Sequence, residues 1–218
     1  MKLYHFNHPL NYNFAQAHRE DVRITPTDGP SCRVCGADRT YVSDRMQLAW
    51  EPGSDVVGDF TFPSFNWDLI ITERVRDVLA PVCPSLVLLP FEMVQDPKVR
   101  RPTRITKRTR PRIWLPYEGP PLWYLRTPSW CHLDLPASGV RIISECSTCG
   151  KIQYKDDVAF EDRHMVVDPT TWDGAPIFRV VEAPAWNFCT PAIVELVQEH
   201  GFTNVSFRED GVIPEPTV

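Results

Sequence analysis

Two copies of the pentapeptide Cys-x-x-Cys-Gly occur in this chain, at Cys32–Gly36 and at Cys146–Gly150. Two thiolates with this spacing can bind one face of a metal ion, and the trailing glycine lets the backbone turn with a positive φ beside the sulfurs. A single pair is weak evidence, because redox motifs use the same spacing. Two pairs with the same trailing glycine predict one structural zinc site. Its four thiolate ligands would be Cys32, Cys35, Cys146 and Cys149.

Two other interpretations of the cysteines remain open. The four thiols could be unrelated buried side chains, or each pair could be a separate redox dithiol. Thioredoxin-like chemistry needs its Cys-x-x-Cys to open a helix after a strand. The residues that follow the motifs, 37–40 and 151–154, have instead the character of a loop and of a strand. Arg33 and Lys151 lie beside the cysteines in sequence and would offset the negative charge of a zinc tetrathiolate.

Length and composition are those of a folded protein with few helices. At 218 residues and 43% hydrophobic content the chain can bury a proper core. Its 22 prolines predict many loops, because proline interrupts helices. Residues 1–9 contain no apolar signal-peptide core, and no stretch approaches the roughly 18 apolar residues of a membrane span. The chain has seven cysteines, an odd number that causes no difficulty in a reducing cytoplasm, where metal ligation is the preferred interpretation. We therefore expect a cytoplasmic protein without a membrane segment.

The residues after each motif suggest the same order of elements twice. A short apolar strand leads to a threonine that caps a helix, Thr72 in the first copy and Thr190 in the second. The helices are expected to stop at Pro81 and at Gly201. The predicted strands are Trp67–Ile71 and Ser85–Phe91 around the first helix, and Trp186–Cys189 and Thr203–Phe207 around the second.

This pattern predicts an α+β fold of two tandem strand–helix–strand halves, with antiparallel or mixed sheets, few helices and many loops. The halves span about 28–97 and 142–213 within a single compound domain that covers residues 1–218. A Pro- and Arg-rich segment, 98–141, connects them, and its aromatic part is expected to form edge strands and extended loops. A metal ion shared by the two motifs would join the halves into one unit.

The charge of the chain is unevenly distributed. Eight basic residues and no acidic one lie between Lys98 and Arg112. Subtracting these eight charges from the net −5 leaves −13 for the remainder. The basic segment is interpreted as a solvated loop, a surface for an acidic partner, or a phosphate-binding strip.

The paired motifs, together with the segment 172–180 and the capped helix that leads into 201–207, resemble the double-CXXCG motif proteins. This paralogous myxobacterial family includes the Sit-type immunity proteins, which protect a cell against polymorphic toxins delivered by kin cells. The resemblance extends from Cys32 to Phe207. Pro191 departs from the family pattern, which commonly places Glu after the capping threonine, and the basic segment is not a family hallmark.

The resemblance implies a protein without catalytic activity that neutralises a cognate toxin by forming a tight complex. None of the common catalytic or nucleotide-binding motifs occurs in the sequence, in agreement with this expectation. We also expect the protein to be a monomer or a weak homodimer. The alternative is a nucleic-acid-binding zinc-ribbon protein that uses Lys98–Arg112. Five aromatic residues in polar or Pro-rich contexts are candidate anchors for the toxin, although each also suits the core: Trp50, Trp114, Trp123, Tyr124 and Trp130.

Overall fold

The computed structural model describes most of the chain. The described residues are 1–20, 23–24, 26, 29, 31–38, 41–42, 46–63, 68–95, 99–104, 106, 109–157 and 164–215. Trp67, with which the first predicted strand begins, lies outside them, as do Lys98, Lys107 and Arg108 of the basic segment.

Within these residues the protein consists mostly of short strands, with two helices. The elements in chain order are β1 (Lys2–Asn7), β2 (Ala17–Glu20), β3 (Arg23–Ile24), β4 (Tyr41–Val42), β5 (Gln47–Trp50), β6 (Phe60–Thr61), β7 (Leu69–Thr72), α1 (Glu73–Leu79), β8 (Val87–Leu89), β9 (Glu92–Val94), β10 (Leu122–Arg126), β11 (Trp130–Cys131), β12 (Val140–Glu145), β13 (Ile152–Asp156), β14 (Met165–Val166), β15 (Ile177–Val180), β16 (Phe188–Cys189), α2 (Pro191–Glu199) and β17 (Ser206–Val212).

The helices begin and end where the sequence predicts, but neither threonine caps its helix through a side-chain hydrogen bond. Thr72 and Thr190 are the N-cap residues of α1 and α2, and both have extended backbone angles. The last helical residue of α1 is followed by Ala80 and then Pro81, while α2 is followed by His200 and then Gly201 with a φ of 58°. These ends follow from local chemistry, because proline cannot continue a helix and glycine adopts the left-handed region easily.

A four-stranded sheet contains the first strand–helix–strand unit, in the order β6-β7-β10-β8. β10 pairs antiparallel with both β7 and β8, so the two strands that α1 connects run parallel with β10 between them. The expectation of edge strands and loops in this part of the connecting segment is therefore wrong for β10. Residues 122–126 contain no proline, so the backbone can form hydrogen bonds on both sides.

A six-stranded sheet contains the second unit, in the order β11-β15-β16-β1-β17-β14. The N-terminal strand β1 pairs antiparallel with both β16 and β17, so the two strands that α2 connects are also parallel with one strand between them. The sheet is mixed, because β11 pairs parallel with β15 and β14 pairs parallel with β17.

Each inserted strand pairs with both strands that its helix connects, although the exit sides differ by one residue: Leu89 lies 17 residues after Thr72, and Arg208 lies 18 after Thr190. In β10, Tyr124 lies opposite Ile70 of β7 and Leu89 of β8. In β1, His5 lies opposite Phe188 of β16 and Arg208 of β17. Counted back from the capping threonines, Ile70 and Phe188 hold the same position. Each sheet also has an antiparallel strand on the outer side of the strand that enters the helix, β6 beside β7 and β15 beside β16.

Three smaller sheets complete the fold, namely β2-β5-β9, β12-β13 and β3-β4. One hydrophobic cluster contains residues of both helices and both large sheets, including Val75, Ile193, Phe6 and Leu125. A second cluster lies on the six-stranded sheet and a third on the β2-β5-β9 sheet. The division into tandem halves, and their proposed boundaries at 28–97 and 142–213, stay predictions at this point.

Candidate metal centre

The two Cys-x-x-Cys-Gly motifs fold into the same tight turn. In each, the amide of the first cysteine donates to the carbonyl five residues later, and the amide of the glycine donates to the carbonyl of that cysteine. The distances are 2.8 Å from Cys32 to Ala37, 3.0 Å from Cys146 to Lys151, and 2.8 Å for both glycines. Gly36 and Gly150 have φ angles of 68° and 70°, a region that glycine enters without steric cost.

The turns bring all four predicted sulfurs together. Sγ of Cys32 lies 3.8 Å from Sγ of Cys146, and Sγ of Cys35 lies 3.6 Å from Sγ of Cys149. All four sulfurs lie within 4.8 Å of one another. Four thiolates around one zinc ion at about 2.3 Å would be separated by about 3.8 Å in a regular tetrahedron. The cluster therefore has the size and donor set of a site that could hold a metal ion such as zinc.

Paired backbone segments flank each of the two cysteine turns. The second motif connects β12 to β13 in an antiparallel hairpin, with Glu145 opposite Ile152 just before and after the turn. The first motif is closed by an antiparallel bridge between Ser31 and Asp38. Residues 37–38 are loop and bridge and residues 151–154 are loop and strand, so neither cysteine pair opens a helix, as the sequence predicted; residues 39–40 lie outside the described residues.

Backbone amides favour the ionised form of two of the thiols. The amides of Cys35 and Val34 hydrogen-bond to the sulfur of Cys32 and lower its pKa to about 6. The amides of Cys149 and Thr148 lower the pKa of Cys146 in the same way. Since thiolates are the form that binds metal, each turn prepares its first cysteine as a ligand.

The centre is partly shielded from solvent. Cys32 and Cys146 are buried, Cys149 is half-buried and Cys35 is exposed. A cleft of about 210 Å³ beside the site is lined by Val34 and Lys151 among others. Four protein ligands would complete a tetrahedral coordination shell, which is the arrangement of structural rather than catalytic zinc sites.

The remaining three cysteines lie elsewhere and are buried in hydrophobic clusters. Burial raises the pKa of Cys83 to about 11 and that of Cys131 to about 12, and it raises the pKa of Cys189 well above its usual value. Thiols in such surroundings stay protonated and unreactive at neutral pH.

The basic segment and the candidate anchors have varied surroundings. Arg100, Arg101, Arg104 and Arg110 are exposed, whereas the half-buried Arg112 donates from Nη2 to the carbonyl of Trp50 at 2.7 Å. Among the candidate aromatic anchors, Trp50 is buried, Trp130 is exposed, and Trp114, Trp123 and Tyr124 are half-buried.

Sequence reasoning missed a buried charged cluster behind β10. Asp68 accepts hydrogen bonds from the hydroxyl of Tyr124 at 2.8 Å and from Nη1 of Arg19 at 3.0 Å. An acidic residue immediately before the apolar strand β7 was the available signal, since charged residues are rarely buried without partners. In the six-stranded sheet, His5 of the inserted strand β1 contacts Asp210, and both are buried.

Comparison with known proteins does not extend this description. The chain matches no protein-family model and no curated protein. In the part of the chain that the structure describes, neither helix has the length and apolar character needed to cross a membrane. The function must therefore be argued from the residues and their geometry.

Proposed function

We propose that Cys32, Cys35, Cys146 and Cys149 bind one zinc ion with a structural role. The convergence of two distant motifs within 4.8 Å carries this proposal. Tetrahedral tetrathiolate sites are typical of zinc and of iron, and a site closed by four protein ligands with no redox partner is the arrangement of structural zinc. Metal binding at such sites contributes about 10–16 kcal/mol in small peptides, comparable to the stability of a whole domain.

Metal analysis of the purified protein tests the zinc proposal. We expect one zinc ion per chain by elemental analysis, and cobalt substitution should give the intense thiolate charge-transfer and visible bands of a tetrahedral Co(II)–thiolate centre. A metal-free preparation that is fully folded, with Cys32 and Cys35 or Cys146 and Cys149 reversibly oxidised, would instead identify redox dithiols.

We propose further that the chain is a duplicated unit whose copies exchange their first strands. Each copy would begin with the strand that is inserted into the sheet of the other, β1 in the first copy and β10 in the second. The shared topology, one antiparallel strand inserted between the two strands that a helix connects, supports this idea. On this view the zinc ion bridges equivalent turns of the two copies, and the boundaries of the copies lie further toward the N-terminus than 28 and 142.

For the biological role we propose an immunity protein that neutralises a cognate polymorphic toxin by forming a tight protein–protein complex in the cytoplasm. The resemblance of the paired motifs to the double-CXXCG family supports this role. A zinc-braced scaffold suits it physically, because a preorganised surface loses little conformational entropy on binding. The net charge of −13 outside the basic segment would favour association with a basic toxin.

Co-expression with the toxin encoded by the adjacent gene tests the immunity proposal. We expect the wild-type chain to restore growth and to co-purify with the toxin, and the Cys32→Ser variant to do neither. A non-cognate toxin of the same kind is the control. Absence of both rescue and complex with the wild-type chain would reject the proposal.

The second candidate function is nucleic-acid binding through Lys98–Arg112. The exposure of Arg100, Arg101, Arg104 and Arg110 favours it. Such binding would weaken steeply with salt, because each neutralised phosphate releases counterions. Gel shifts at low and high salt with single- and double-stranded probes would reveal it, and no shift at low salt would exclude it.

A further inference from the structure

A cavity of about 470 Å³ lies where the basic segment folds back onto the body of the protein. This volume falls in the range typical of small-molecule sites. Arg101 and Arg110 line it, together with Trp114, Tyr117 and the carboxylates of Asp55 and Glu118. Arginines of the basic segment, the most unusual feature of the sequence, therefore line this cavity. Neither zinc binding nor toxin neutralisation requires the cavity.

The wall after the basic segment is held in place by the core. Ile113 and Tyr117 pack against the hydrophobic cluster of the β2-β5-β9 sheet. The ring of Tyr117 stacks on that of Trp50, with centroids 6.2 Å apart, and its hydroxyl donates to the carbonyl of Pro120 at 2.9 Å. Burial raises the pKa of Tyr117 to about 12, so the hydroxyl stays protonated as a donor.

Two further contacts fix the same wall. Arg112 donates to the carbonyl of Trp50, and its guanidinium lies over the ring of Trp114, 5.8 Å from the centroid. The amide of Gly53 donates to the carbonyl of Pro111 at 2.8 Å. Arg112 is therefore engaged in holding the wall, and this side of the cavity is preformed.

The other two arginines are differently placed. Arg101 and Arg110 are exposed, and neither has an ion pair with any of the residues that the structure describes. Guanidinium groups are well suited to phosphate, which they bind through paired, charge-assisted hydrogen bonds.

The acidic and aromatic side chains that also line the cavity indicate which class of ligand it can bind. A long polyanion would bring its phosphates close to Asp55 and Glu118, which repel them. A mononucleotide is compatible with both the positive and the negative side chains of the cavity. Its phosphate can pair with arginine, while N–H groups of the base donate to a carboxylate. The rings of Trp114 and Tyr117 offer aromatic surface against a flat base. We propose that this cavity binds a 5′-nucleoside monophosphate, with Arg101 and Arg110 on the phosphate.

Calorimetric titration of the zinc-loaded full chain tests this site. The probes are the four common 5′-nucleoside monophosphates, the corresponding nucleosides, inorganic phosphate and a ten-residue oligonucleotide. We expect saturable one-to-one binding of at least one monophosphate, and at least about tenfold weaker binding of its nucleoside, since charge-assisted phosphate contacts are strong.

The segment offers a matched control for charge. R101Q/R110Q should weaken monophosphate binding at least about tenfold, whereas R100Q/R104Q removes two charges from the same segment outside the cavity and should change it less than about twofold. D55N/E118Q should weaken binding of the monophosphate but not of inorganic phosphate. Zinc content and the melting temperature verify that each variant is folded.

Three results would overturn the inference. The first is the absence of binding by every monophosphate at millimolar concentration. The second is equal weakening by R101Q/R110Q and R100Q/R104Q, which would indicate a diffuse basic surface. The third is binding of the oligonucleotide alone, which would instead support the nucleic-acid function. None of these outcomes bears on toxin neutralisation, which is measured separately by co-expression.

Discussion

At the residue scale, the seven cysteines separate into two groups by what surrounds their sulfurs. The four in the paired turns lie near backbone amides and one another, whereas Cys83, Cys131 and Cys189 lie in apolar clusters. Backbone amides lower the pKa of Cys32 and Cys146. The amide of Lys151 acts in the same direction on Cys149, but burial and the neighbouring cysteines outweigh it and raise the pKa of that thiol to about 11. Apolar burial keeps the other three cysteines protonated as inert packing.

The first prediction compares a cysteine from each group. Cys32→Ser should abolish stoichiometric zinc and lower the melting temperature, because a hydroxyl is a poor replacement for a thiolate ligand. Cys83→Ala should keep the zinc and cost only about 1 kcal/mol, or about 2–4 °C. Elemental analysis and thermal unfolding measure both effects, and full zinc occupancy in the Cys32→Ser variant would contradict the prediction.

The second prediction concerns the buried cluster behind β10. Asp68→Ala should destabilise the protein by about 3–5 kcal/mol, because it removes the carboxylate that pairs with Arg19 in a largely buried place. Tyr124→Phe removes only one hydrogen bond to the same carboxylate and should cost about 1 kcal/mol. Denaturant unfolding measures both, and similar small costs would show that water replaces the carboxylate easily.

At the element scale, the position of each strand depends on which backbones can approach each other. β14 runs parallel to the end of β17, and Met165 lies opposite Gly211. A Cβ atom on Gly211 would lie 2.6 Å from the carbonyl carbon of Met165, too close for any side chain. This glycine is required by the approach of two strands rather than by a turn.

The third prediction follows from that contact. Gly211→Ala should destabilise the protein by about 3 kcal/mol, since the backbone of β14 must move. Gly53→Ala is the control: its added Cβ would meet no atom within 4 Å, so the change should be within about 1 kcal/mol. Equal effects of the two substitutions on the free energy of unfolding would contradict the close approach.

At the scale of the whole molecule, each large sheet takes one interior strand from a distant part of the chain. The strand inserted between β16 and β17 comes from the N-terminus, and the strand between β7 and β8 comes from the middle of the chain. Both helices also share one hydrophobic cluster. A fragment that lacks β1 or β10 would therefore lack an interior strand of one large sheet.

The fourth prediction tests this dependence with a break at the exposed residues 118–119. Fragment 1–118 lacks β10 and fragment 119–218 lacks β1, so each should be unfolded when expressed alone. Expressed together with zinc, they should form a one-to-one complex with a cooperative unfolding transition, because strand pairing and the metal both join them.

Circular dichroism of the single fragments and size-exclusion chromatography of the pair give the readouts. A fragment that unfolds cooperatively by itself would show that β1 or β10 is dispensable. Fragments 28–97 and 142–213, the halves first suggested by the sequence, lack both strands and serve as the unfolded reference.

The turns and helices could be predicted from the sequence, because the residues that determine them lie close together in the chain. The spacing of the cysteines, the trailing glycines, the capping threonines and the breaks at Pro81 and Gly201 all act within a few residues. The convergence of the two motifs was also predicted, since a single Cys-x-x-Cys pair cannot complete a tetrahedral site.

The placement of the strands was decided only by the tertiary structure. Strands pair through backbone N–H and C=O groups, which almost every residue carries. The side chains therefore do not indicate that β10 lies between β7 and β8 or that β1 lies between β16 and β17. The burial of Asp68 with Arg19 and the cavity beside Arg101 likewise depend on chain segments that are far apart in sequence. By itself, therefore, the sequence determined the local turns, the helices and the four clustered thiols, whereas the strand partners, the buried charges and the cavity arose from long-range packing.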